Sequence, residues 1–224
     1  SYYACDYTGH MEKVMDEWEK LGFAPDGIYT GFLADEKQAD KILDFFRRFR
    51  GPDTMVLVDP VMGDYGKPYS TYTPEMCEEM KKLVSYADIL TPNVTEACIL
   101  TDTPYREDFH MKDYRRMAEQ LSEKGPKKVV LTGIMQGEFI ANYCYEKGEE
   151  PKVQRSHKVG TQRSGTGDIF TAIIAADAVN GVPFPQSVKK ASHFIKKCIE
   201  RSVELEIPLT DGVCFEEVLH TLKV

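Results

Sequence analysis

The run Met55-Val-Leu-Val58, halted by Asp59-Pro60, constrains the fold more than any other feature. Four consecutive apolar residues leave no face for solvent, so they describe a strand buried on both sides, as in a parallel sheet covered by helices. Proline has no N–H to donate and steers the residue before it away from helix, which gives the strand an abrupt end. The pattern recurs at Asp26 to Leu33, at Ala87 to Leu90 before Thr91-Pro92-Asn93, and at Lys127 to Leu131 before Thr132-Gly133. Helical patterns lie between these runs. In Gly9 to Leu21 the residues Met11, Val14, Met15, Trp18 and Leu21 fall on one face, and Gly22 supplies a stop. Glu36 to Phe49, Pro74 to Tyr86 (proline in its first turn), Val94 to Leu100 and Met111 to Lys124 follow. Strands alternating with helices predict an α/β fold with a mainly parallel sheet. Polar and apolar residues alternate in Phe139 to Tyr145 and Lys152 to His157, which predicts an antiparallel pair. The rest reads as helix: Gly167 to Val179, Pro185 to Val203 and a short piece near Phe215 to Leu222. With no repeat and no Pro/Gly/Ser linker in 224 residues, one domain over 1–224 is expected.

Composition narrows the function classes. There are 28 Lys and Arg against 36 Asp and Glu, a formal charge of −8, and no basic stretch, so a nucleic-acid surface is not expected. No apolar run approaches the roughly 18 residues that span a bilayer. Ser1 to His10 lack the basic start and apolar stretch of a signal peptide. The six cysteines form no C-x-x-C pair, which argues against zinc and a disulfide scaffold and fits inert thiols in a reducing, cytoplasmic setting.

In open α/β sheets, ligands bind beyond the carboxyl ends of the strands. Three such ends carry polar clusters: Asp59 through Asp64, Thr91-Pro-Asn93 with Glu96, and Thr132-Gly133. Together they suit Mg²⁺ and a polyphosphate, since Mg²⁺ takes one or two carboxylates plus water and phosphate oxygens. Singly, each has a plainer explanation: Asp59 and Thr91 open turns before proline, and Asn93 caps the next helix. Ser164-Gly-Thr-Gly-Asp-Ile-Phe170 opens a long helix. Glycines there let the backbone approach an anion, and the free N–H groups and helix dipole hold it. Asp168 is also a favourable charge for that helix end in its own right. The segment is not a Walker A loop, having no Lys-Ser/Thr, and it lacks the third glycine of a dinucleotide fingerprint. Beside the other clusters, Asp168 is a candidate base for an attacking hydroxyl, with Gly165, Thr166 and Gly167 as the anion hole. A weak base suffices where the phosphoryl-transfer transition state is loose.

In this order and spacing, Tyr29-Thr-Gly-Phe-Leu33, Asp59-Pro-Val-Met-Gly-Asp64, Thr91-Pro-Asn-Val-Thr-Glu96, Val129-Val-Leu-Thr132 and Gly165-Thr-Gly-Asp168 resemble the ribokinase-like small-molecule kinases, and among them the pyridoxal (vitamin B6) kinases. The resemblance implies a three-layer α/β/α fold and ATP-dependent phosphorylation of the 5′-hydroxymethyl group of pyridoxal, pyridoxine or pyridoxamine by a homodimer. It implies Asp168 as catalytic base; Asp64, Asn93, Glu96 and Thr132 near ATP; Mg²⁺ through Asp64 and Glu96; and a monovalent cation such as K⁺ through Asp59, Thr91 and Thr132. Gly66 to Tyr69 matches a flap that brings Tyr69 over the phosphates, or is an ordinary exposed loop. Phe32 matches a substrate-ring contact, or is a core residue. The related hydroxymethylpyrimidine kinases usually have cysteine at the position of Asp168, so aspartate there favours the pyridoxal branch. A truncated nucleotide-binding domain without turnover is the third alternative, because the family's opening strand, helix and flap have no counterpart in this sequence, and Ala34-Asp35 replace the usual Gly-Ser.

Overall fold

The computed structural model describes residues 5–222. In chain order the elements are α1 (Thr8–Lys20), β1 (Gly27–Thr30), α2 (Glu36–Phe49), β2 (Met55–Val58), β3 (Gly63–Asp64), β4 (Lys67–Pro68), α3 (Pro74–Val84) and β5 (Ile89–Leu90). There follow α4 (Val94–Leu100), α5 (Met111–Glu123), β6 (Lys128–Gln136), β7 (Phe139–Glu146), β8 (Lys152–His157), α6 (Thr166–Val179) and α7 (Phe184–Glu204). Two 3-10 turns, Leu209–Asp211 and Glu216–Thr221, follow α7.

The six-stranded sheet runs β1-β2-β5-β6-β7-β8. Its first four strands pair in parallel, and the last two add on antiparallel. Side chains alternate across a strand, so each apolar run feeds two cores. Val56, Val58, Leu90, Val129 and Leu131 face one side, where Leu43, Phe46, Met80, Leu83 and Leu121 meet them. Leu57, Ile89 and Val130 face the other, against Phe170, Ile173 and Ile174 of α6 and Val188, Ala191 and Phe194 of α7. The result is the expected α/β/α layering. Helix α6 is apolar nearly all round because it lies between the sheet and α7.

Two departures from the sequence reading shape the site. Thr132-Gly133 does not end its strand. Gly133 takes φ +70, the register shifts between Leu131 and Ile134, and β6 continues to Gln136 as the first arm of the antiparallel β6–β7 pair. Only a bulge permits that, and glycine alone adopts this φ without strain. The second departure is β3–β4, a hairpin turning through Tyr65 (φ +50) and Gly66 (φ +78). Positive φ at both turn residues gives the primed turn that matches strand twist.

Gly63 is locked into this hairpin: a Cβ there would lie 2.3 Å from the Lys67 carbonyl oxygen. At Gly9 in α1, by contrast, nothing lies within 4 Å of an added Cβ. Gly63→Ala should therefore lower unfolding free energy by about 1–3 kcal/mol. Gly9→Ala should raise it by up to about 1 kcal/mol. Urea denaturation of the two variants against the parent checks both signs.

Candidate active site

The parallel strands end in a staggered row fixed by main-chain bonds. Asp59 N–H donates to the Thr30 carbonyl (2.8 Å), Thr91 N–H to Val58 (3.2 Å) and Thr132 N–H to Pro92 (2.9 Å). Asn93 and Thr132 form an isolated parallel bridge that continues the β5–β6 pairing. Asp59, Thr91 and Thr132 thus reach one rim even though the β6 strand runs on.

Asp59 is buried, with 6% of its surface exposed. Its Oδ2 accepts from Thr171 Oγ1 of α6 (3.3 Å), which lies 3.1 Å from Thr91 Oγ1. Burial, and then the charge of Asp168, push the Asp59 carboxyl up to about 7, against the opposing hydrogen bonds of the Thr171 and Thr91 hydroxyls. Glu96 is as deeply buried, at 4% exposed. Both its oxygens are engaged: Oε1 accepts from Met62 N–H (3.2 Å) and Oε2 from Asn93 N–H (2.7 Å). Asn93 Oδ1 accepts in return from Glu96 N–H (2.9 Å), which closes a capping box on α4. Burial first, and then Asp59, hold Glu96 well above the ordinary carboxylate range despite those two N–H donors. No lysine or arginine among the described residues offsets the charge of Asp59 or Glu96.

The hairpin brings Asp64 to the same rim. Asn93 Nδ2 donates to the Gly63 carbonyl (2.8 Å) and Gly66 N–H donates to Thr95 Oγ1 (2.8 Å), so the start of α4 holds one arm and the turn. Asp64 Oδ2 accepts from Gln162 Nε2 (2.8 Å), and the Tyr65 hydroxyl also bonds Gln162. Tyr69 follows β4. Its hydroxyl is pushed above the usual tyrosine range, by partial burial and then by Asp64, Glu96, Asp59 and Asp168, which places the ring beside the acidic cluster.

Helix α6 presents the opposite wall. Its N-cap is Gly165 in the left-handed region (φ +85), with no side chain capping it, whereas Asp35, Thr73 and Asn93 cap α2, α3 and α4. The first N–H groups of α6 are therefore left to a ligand or solvent. A Cβ on Gly167 would sit 3.9 Å from Asp59 Oδ2, and one on Gly31 would sit 3.9 Å from Asp168 Oδ1. Asp168 is solvent-exposed in the first turn, between the Asp59 carboxylate and the loop after β1. Phe32 in that loop is 54% exposed, edge-on to Tyr72 (6.1 Å between centroids), so it is not a core residue.

The structure thus brings Asp59, Asp64, Tyr69, Thr91, Asn93, Glu96, Thr132, Gly165, Thr166, Gly167 and Asp168 to one rim, with Phe32 at its edge. Three neighbours were missed from sequence. Thr171 lies one turn beyond Asp168 in an apolar helix, a position where a buried hydroxyl needs a partner. Gln162 steadies Asp64. Tyr29, in β1 beside Asp168 and Asp59, has its hydroxyl raised by burial and then by those two carboxylates. Among the described residues no group of three or more His, Cys, Asp or Glu side chains is poised to hold a metal unaided. The cysteines are free, and burial pushes Cys98 and Cys198 up to about 11 and Cys144 up to about 12.

A family model described as phosphomethylpyrimidine kinase matches residues 12–209. The chain is 34% identical to the pyridoxal kinase of Arabidopsis thaliana over 156 residues, 66% of this chain and 48% of that protein. It is 30% identical to the hydroxymethylpyrimidine/phosphomethylpyrimidine kinase of Bacillus subtilis over 189 residues, 80% of this chain and 65% of that one. The chain spans about half to two thirds of the length of the curated pyridoxal kinases it matches. A Bacteroides thetaiotaomicron crystal structure with pyridoxal, provisionally described as a phosphomethylpyrimidine kinase, superposes with a TM-score of 0.94 at 33% identity. The match covers 100% of this chain and 80% of that one. Matched along most of its length and carrying the family's motifs on one rim, the chain belongs to the phosphomethylpyrimidine kinase family, within the ribokinase-like fold that also holds the pyridoxal kinases.

Proposed function

We propose that the protein transfers the γ-phosphoryl group of ATP to the 5′-hydroxymethyl group of pyridoxal, pyridoxine or pyridoxamine. The observation that carries this reading is the placement of Asp168 in the first turn of α6, whose end no side chain caps, facing Gly31 on one side and Asp59 on the other. Asp168 accepts the proton of the alcohol as its oxygen attacks the γ-phosphorus. An oxygen–phosphorus bond forms, the bond from the γ-phosphorus to the β–γ bridging oxygen breaks, and ADP leaves. N–H groups of Gly165, Thr166 and Gly167 hold the charge on the phosphoryl in flight. Phe32, exposed beside this point, stacks on the substrate ring, while Asn93, Thr132 and Tyr69 flank the polyphosphate.

The residues fit Mg²⁺. The rim offers hard oxygen donors, and two buried carboxylates lack a basic partner among the described residues. Asp64 and Glu96 would hold the ion, Glu96 being fixed at the rim by the Met62 and Asn93 N–H groups that its oxygens accept. When bound, Mg²⁺ neutralises phosphate charge. Asp59, Thr91 and Thr132 would hold a monovalent cation such as K⁺. The proposed setting is a cytoplasmic homodimer, and the free cysteines fit a reducing compartment. Hydroxymethylpyrimidine is the second reading for the acceptor, favoured by the family description and the Bacillus subtilis relative.

Turnover of MgATP by the intact protein with pyridoxal, pyridoxine, pyridoxamine and hydroxymethylpyrimidine side by side tests the reading. Higher kcat/KM for the B6 alcohols supports it, and higher kcat/KM for the pyrimidine transfers it to the second acceptor. Asp168→Ala should cut kcat by about 10²–10⁴-fold with MgADP affinity nearly unchanged. A variant keeping more than a few per cent of activity contradicts the base assignment. Phe32→Ala should raise KM for the ring substrate by about tenfold and leave KM for MgATP alone. Steady-state kinetics with each substrate varied separates the two.

The acidic cluster also predicts a pH signature. Asp59 is raised from 3.8 to about 7, so between those values the folded state holds a proton that the unfolded state has lost. Stability then falls as pH rises through this window. Melting curves of the metal-free protein should show a lower midpoint at pH 7.5 than at pH 5, and Asp59→Asn should flatten that slope.

A further inference from the structure

Arg163 is buried (7% exposed), immediately ahead of the Ser164-Gly165 turn that opens α6. A guanidinium stays charged in proteins, and burying one normally calls for a carboxylate. Here every partner is a main-chain carbonyl. Nη1 donates to Pro208 (3.2 Å) and Gly212 (3.2 Å), Nη2 donates to Ile207 (2.9 Å), and Nε, also buried, has no partner among the described residues.

The three carbonyls belong to one strap, Ile207 to Gly212, which follows α7. The strap is also fastened to the turn directly. Val213 N–H donates to the Ser164 carbonyl (3.1 Å), and a Cβ on Gly165 would meet the Val213 side chain at 3.8 Å. On the other side of the turn, Thr166 Oγ1 donates to the Arg163 carbonyl (3.1 Å). Gly165 sits in a left-handed conformation, so the direction of the N–H groups that follow depends on what holds this turn.

We propose that Arg163 is a positioning residue for phosphoryl transfer. Its guanidinium clasps the 207–213 strap against the turn, fixes the aim of the Gly165–Gly167 N–H groups, and places a positive charge, with no carboxylate partner among the described residues, behind the site of the transferred anion. The inference rests on the phosphoryl-transfer reading above. A fixed cation that is not neutralised by a carboxylate keeps its field for the ligand, and donors fixed in advance need no reorganisation as charge develops. Two features predict separate effects: the fork, which only arginine supplies, and the charge, which lysine retains.

The test compares Arg163→Lys and Arg163→Met with the parent in the intact protein. It uses thermal melting, affinity for a non-hydrolysable MgATP analogue by calorimetry, and steady-state kinetics with MgATP and the better of the alcohols. Arg163→Met should lose about 100-fold in kcat, as expected when an anion hole is misaimed, with KM for the alcohol within threefold. Affinity for the non-hydrolysable MgATP analogue should weaken. Arg163→Lys should recover at least tenfold of the lost kcat without recovering the melting temperature, since charge returns and the fork does not. If Lys and Met lose kcat equally and only in step with melting temperature, Arg163 is merely structural and the proposal is overturned. Parent-like kcat in Arg163→Met also overturns it. Should the parent phosphorylate no alcohol, the function reading fails by itself. Affinity for the Mg²⁺ complex of the non-hydrolysable ATP analogue, which carries the γ-phosphoryl, then decides this proposal: weakened in Met and partly restored in Lys supports it, and unchanged in both overturns it.

Discussion

Buried carboxylate charge with no basic counterpart among the described residues is the constraint on which the rest of this molecule depends. Asp59 and Glu96 are each more than nine-tenths buried, and what offsets their charge is hydroxyl and backbone N–H groups. Leaving such groups ionised in a folded core is costly, and the raised proton affinities of both express that cost. A chain under no other requirement would replace them with apolar side chains, as buried ionic groups often can be at no loss of stability. A site that waits for a cation and a polyphosphate gives the arrangement a use.

The architecture follows from the same demand. Parallel strands put their carboxyl ends on one rim, and the β2, β5 and β6 runs each turn from apolar to polar there. Helix α6 crosses behind β1 and β2, so its uncapped first turn, Asp168 and Thr171 arrive opposite Asp59. The apolar character of α6 is what lets one helix serve as both core element and anion hole. The strap after α7, bound by Arg163, completes the wall behind that turn.

Much of this was legible in the sequence because the signals are local. Met55–Val58, Glu36–Phe49 and Val94–Leu100 have the boundaries their patterns dictate: Asp59-Pro60 stops the first, and Asp35 and Asn93 cap the starts of the other two. Glu96 shows why single motifs mislead: the structural and functional readings of Asn93-x-x-Glu96 are compatible, for the capping box is what aims both residues at the rim. The hairpin at Gly63 to Pro68 was not legible as strands. Its arms are two residues long, partly polar, and held by α4 through Asn93 and Thr95 rather than by any pattern of their own. The continuation of β6 through Gly133 depends on a bulge that only the partner strand β7 specifies. Arg163 is a tertiary feature entirely: nothing in Gln162-Arg163-Ser164 signals that its partners lie more than forty residues away.

The most direct measurement of the central claim is the proton balance of nucleotide binding. Calorimetric titration of MgADP into the protein near pH 6, in buffers of different ionisation enthalpy, counts the protons exchanged. If the buried carboxylates wait for a cation, binding in a potassium-containing buffer should release protons as Glu96 and Asp59 ionise. Proton uptake, or binding with no exchange at that pH, would contradict the account.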